Sequence, residues 1–154
     1  MLLAATMFGC SRSGEPASTG TTAVHKHEHH PPHGGTPVVL GDEANHVELV
    51  LDPAAGILQA YVLDGEMENF VRIPAKSVEI DAKVSGNEQK LELNAVPNTA
   101  TGETVGNTSM FQGQAGWLKS ATNFDAVLKE ITIHGTTYSN VTFNFPKGND
   151  EDAK

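Results

Sequence analysis

The chain has 154 residues, a formal net charge of -9 and a pI near 5.1. That length leaves room for one domain of ordinary size beside a leader, and not for two. Ten Lys and Arg against nineteen Asp and Glu form no concentrated cationic surface, which excludes nucleic acid as a partner, and no stretch approaches the roughly 20 apolar residues of a membrane-spanning helix.

The first ten residues, Met1-Leu2-Leu3-Ala4-Ala5-Thr6-Met7-Phe8-Gly9-Cys10, run apolar into a small residue and then the single cysteine, followed by Ser11-Arg12-Ser13-Gly14. One cysteine permits no intramolecular disulfide. The segment resembles the lipobox of bacterial lipoproteins, whose cysteine is acylated and becomes the first mature residue. It departs from that pattern in having no basic residue before the apolar run, and in Met7-Phe8 where Leu and a small residue are usual. The resemblance implies that residues 1–9 are the remnant of a signal peptide, that Cys10 is lipidated, and that the protein is anchored in a bacterial cell envelope facing the periplasm.

From Ser11 to Val24 the residues are mostly Gly, Ser, Thr, Ala, Glu and Pro. Such a composition buries too little apolar surface to offset the entropy of ordering, so residues 10–35 read as a tether. At its far end stands His25-Lys26-His27-Glu28-His29-His30-Pro31-Pro32-His33-Gly34-Gly35, with five of the seven histidines. Near neutral pH imidazoles are largely uncharged, and several on one flexible segment can turn their nitrogens to a single cation. The competing reading is a plain polar linker containing Pro and Gly.

Residues 36–146 read as the domain. Thr36 to Leu40 suits an edge strand, because Pro37 is tolerated at a strand start. His46-Val47-Glu48-Leu49-Val50-Leu51 alternates, with Val47, Leu49 and Leu51 on one face and His46, Glu48 and Val50 on the other. Asp52-Pro53-Ala54-Ala55-Gly56 is a turn, and residues 57–64 return as a strand whose apolar residues on both faces suggest a central place. Residues 78–84 and 91–95 form a second hairpin, and 97–109 a long polar loop. Residues 110–112 suit a short strand, with Trp117 and Leu118 in an irregular or one-turn helical piece. Residues 130–134 and 139–145 form the last hairpin, followed by a charged tail over 147–154. This pattern predicts an all-β fold, a single antiparallel β-sandwich, immunoglobulin-like or an open barrel, behind a disordered N-terminal tether.

On an extended strand His46 and Glu48 point the same way, about 6.5 to 7 Å apart. An i, i+2 pair of this kind can share one cation, completed by His30 or His33 from the arm, and zinc and copper both accept imidazole with carboxylate. The alternative is a solvated strand face. Asp64, Glu66 and Glu68 lack the spacing of a known calcium loop. His134, before Gly135, suits a structural or surface role. With no G-x-S-x-G, no H-E-x-x-H and no phosphate-cradling glycine loop, no enzyme is expected.

The run His30-Pro31-Pro32-His33-Gly34-Gly35, with Leu40-Gly41, His46-Val47-Glu48-Leu49-Val50, Asp52, Gly56 and Tyr61-Val62-Leu63-Asp64, resembles a segment of small uncharacterised bacterial envelope lipoproteins. A similar Pro-His-Gly-Gly segment precedes the body of some periplasmic adaptor subunits of heavy-metal efflux pumps of the resistance-nodulation-division type. The resemblance covers about 35 of the 154 residues, and the chain lacks the helical hairpin and lipoyl-like halves of the adaptors. It implies a periplasmic, metal-associated role carried by His33, His46 and Glu48, with a metal-efflux or other envelope protein as partner. The expected function is binding of a divalent transition metal, zinc or copper, for buffering, sensing or delivery. The expected ligands are His25, His27, His29, His30, His33, His46 and Glu48. The alternative is a structural or interaction module of the envelope.

Overall fold

The computed structural model describes residues 30–149. Eight strands, β1 (Thr36–Leu40), β2 (Asn45–Asp52), β3 (Ile57–Asp64), β4 (Ser77–Val84), β5 (Asn87–Ala95), β6 (Met110–Gln114), β7 (Phe124–Ile133) and β8 (Thr136–Phe145), form one antiparallel sheet. A 3-10 turn at Gly116–Lys119 lies between β6 and β7. The sheet order is β1-β2-β3-β6-β5-β4-β7-β8, so two hairpin-built halves meet at β6. The sheet curls until its outer strands approach each other, which makes the expected antiparallel all-β fold a nearly closed barrel.

Alternation places the core. Val47 and Leu49 of β2 stand across from Val62 and Ala60 of β3, and all four are buried together with Phe111, Leu93, Ile80 and Leu128. Two sequence expectations are extended. Residues 124–133 form one ten-residue strand, beginning six residues before the hairpin arm expected over 130–134. His134, at φ 50, and Gly135, at φ 84, take the two-residue turn into β8, so His134 has a structural place at a hairpin tip.

Closure uses the C-terminal residues in place of a ladder. The Asn149 side chain accepts from the Val39 amide at 2.7 Å and donates to the Val39 carbonyl at 3.1 Å, while the Thr36 hydroxyl donates to the Pro146 carbonyl at 3.2 Å. Gly148 sits so close to β1 that a Cβ there would lie 2.2 Å from the Pro37 oxygen. Residues 147–149 of the charged tail are thus packed against an otherwise unpaired edge, which blunts it against pairing with another chain. Residues 150–154 lie outside the described residues.

The polar loop over 97–109 is organised by a buried carboxylate. Glu103 accepts from the Ser109 amide at 2.8 Å, the Ser109 hydroxyl at 2.7 Å and the Thr101 hydroxyl at 2.6 Å, with the Arg72 guanidinium 3.9 Å away. Burial alone would raise its pKa, but the hydrogen bonds from Thr101 and Ser109, with the charge of Arg72, outweigh burial and hold it below the usual carboxylate range. A carboxylate whose pKa is depressed by folding stabilises the fold above its unfolded value of about 4.3, and that contribution is lost as pH falls through the folded pKa. Glu103→Gln is therefore expected to flatten the acid limb of the stability curve measured by urea unfolding. An acid limb as steep as the wild type's would refute this role for Glu103.

Candidate metal site at the docked arm

The outer face of β2 and β3 carries the site. His46 stands across from Leu63, and Glu48 across from Tyr61. This face was expected to be either a half-site or a solvated surface; His46 and Glu48 are in fact both 0% exposed. Leu63 and Met67 are buried as well, yet stand outside the main core cluster. Their burial follows from the chain after β3 folding back on that strand. The Val71 amide donates to the Val62 carbonyl at 2.9 Å, Asp64 and Asn69 bond through their backbones at 3.0 Å, and Leu63 pairs with Phe70.

Asp64 anchors that return. Its carboxylate accepts from the Glu68 and Asn69 amides at 3.0 and 3.2 Å and from the Asn69 side chain at 2.6 Å. Burial raises its pKa, but these bonds and the nearby His46 lower it further, for a net depression. The Asp64 carboxylate thus ties a loop.

The second cover is the end of the arm. Pro31 to Gly34 forms a turn closed by the Gly34 amide on the Pro31 carbonyl at 3.0 Å. The turn presents two backbone donors and one imidazole ring to one carboxylate. Glu48 Oε1 accepts from the His33 amide at 2.8 Å and the Gly35 amide at 2.9 Å, while Glu48 Oε2 lies 2.7 Å from His33 Nδ1. Only glycine fits at position 35, because a Cβ there would meet the Leu49 carbonyl at 2.5 Å and the Glu48 side chain at 2.9 Å. Residues 31–35, expected as the end of a tether, are in place on the domain.

The His33 ring lies flat on Tyr61, with centroids 4.0 Å apart and planes inclined by 21°, and Phe70 leans on it at 5.8 Å. Burial, and then the negative charge of Glu48, push the Tyr61 phenol above its ordinary pKa. The His33 side chain is nevertheless 37% exposed, and among the described residues nothing hydrogen-bonds to its Nε2.

The structure thus brings His33 and Glu48 together. His46 Nδ1 lies 3.3 Å from the Asp64 carbonyl oxygen. His30 is exposed. His25, His27, His29 and Cys10 lie outside the described residues. Among the described residues no group of three or more His, Cys, Asp or Glu is arranged to hold a metal, and no helix is long and apolar enough to cross a membrane.

Tyr61 and Phe70 were not anticipated as parts of the site. The available signal was Tyr61 and Leu63 on the face of β3 opposite Ala60 and Val62, apolar side chains that need a cover. A separate recess of about 1200 Å³ over β4, β5, β7 and β8, in which Lys90 pairs with Asp81 at 3.5 Å, shares no residue with this site. Comparison of the chain with protein-family models, curated proteins and solved structures returns no match.

Proposed function

We propose that this chain is a periplasm-facing envelope lipoprotein, anchored through Cys10, that binds a divalent transition metal such as zinc or copper through its His-rich segment for buffering, sensing or delivery. The observation carrying this reading is that the tract of five histidines ends on a ring held by the domain and still open to solvent. An imidazole already held in place lowers the entropy cost of gathering further ones around an ion. Its other four members, His25, His27, His29 and His30, stand within eight residues upstream of it. Glu48 serves here as the group that holds His33, since both of its oxygens are engaged.

A second reading, an envelope interaction module with the tract as linker, is favoured by that same engagement, because a clamp on Glu48 needs no metal to explain it. Calorimetric titration with zinc and copper(II) separates the two. The chain is compared with a variant in which His25, His27, His29, His30 and His33 are all replaced by Asn. Micromolar binding lost in the variant supports the metal reading, and negligible heat from both chains leaves the interaction module.

A further inference from the structure

We infer that Glu48 is the positioning residue of this metal site, and that it acts by fixing which nitrogen of His33 carries the proton. This rests on the metal reading given above and deepens it.

The geometry allows little choice. An ionised carboxylate only accepts hydrogen bonds, so a neutral His33 ring 2.7 Å from Glu48 Oε2 must place its proton on Nδ1. The lone pair then sits on Nε2, the nitrogen without a protein partner among the described residues. Metal-bound histidines are commonly oriented in this way, by a carboxylate on the far ring nitrogen that also makes the near one more basic. Stacking on Tyr61 fixes the plane of the ring, and the His33 and Gly35 amides fix the carboxylate. Ring plane, tautomer and carboxylate are thus set before any ion arrives.

The two backbone donors make the inference testable with a near-isosteric change. In Glu48→Gln the amide oxygen must face the His33 and Gly35 amides, because the amide NH2 would otherwise oppose two N–H groups. The NH2 therefore faces His33 Nδ1, which becomes the acceptor. The proton moves to Nε2 and removes the lone pair a metal needs. The arm stays docked, but its fixed ligand is switched off.

The experiment uses the full chain and zinc as probe. Two-bond nitrogen–proton NMR correlations at a pH above the ordinary imidazole range of about 6.5 report the His33 tautomer, and calorimetry reports zinc affinity. The wild type is expected to show Nδ1–H at His33. Glu48→Gln is expected to show Nε2–H and a roughly 10- to 100-fold loss of zinc affinity, close to that of His33→Ala. An Nε2–H tautomer in the wild type overturns the inference without any variant. So does a Glu48→Gln chain that keeps the wild-type zinc affinity, with the metal reading left standing. A wild-type chain that takes up no zinc or copper overturns both.

Discussion

Glu48→Ala is expected to lower the stability of the domain by about 2–6 kcal/mol, because the His33 and Gly35 amides lose their acceptor at roughly 1–3 kcal/mol each. Glu48 is 0% exposed and accepts from three donors. Truncation leaves the His33 and Gly35 amides and the His33 ring without their acceptor beneath a turn that no longer has a reason to lie there. His33→Ala should cost less, about 1–2 kcal/mol, because the carboxylate keeps both backbone donors. Urea unfolding ranks the two variants, and hydrogen exchange at the His33 and Gly35 amides reports whether the arm has lifted. If Glu48→Ala costs no more than His33→Ala, the carboxylate does not organise this face.

That cluster also marks where sequence reasoning stops. The alternation at His46-Val47-Glu48-Leu49 set the side of the sheet on which each residue stands, because a strand has a period of two whatever surrounds it. It could not say what lies over the outer side. Burial of His46 and Glu48 comes from two segments distant in sequence, residues 31–35 and the return around Asn69, and each reads locally as loop. The Pro31-Pro32-His33-Gly34-Gly35 run was legible as punctuation between tether and domain. Its glycine at 35 was legible only as freedom, whereas the structure uses it for close approach to the Leu49 carbonyl. Closure by Asn149 was likewise hidden, since a polar tail carries no periodicity. The hairpins were the most legible part, because turn residues and alternation agree at each of them.

Phe111→Ala is expected to cost about 3–5 kcal/mol, at the upper end for core truncation. Phe111 is 0% exposed and the largest of the fully buried side chains. It stands across from Ala60 of β3 on one side and Ala95 of β5 on the other, so small neighbours leave the space its ring fills and offer little to collapse into it. Its strand is also the joint of the molecule. β6 shares five residue pairs with β3 but only two with β5, so side-chain packing, more than the backbone ladder, must hold the β1-β2-β3 half to the rest. Phe111→Leu, which keeps most of the volume, should cost under about 1.5 kcal/mol. Urea midpoints measure both, and amide exchange should show β6 opening before β2 in the alanine variant. Because the His33–Glu48 clamp stands on β2, zinc uptake per folded molecule should match the wild type under conditions where the variant remains folded. A Phe111→Ala cost below about 1 kcal/mol would mean that the two β5–β6 pairs suffice to hold the halves together.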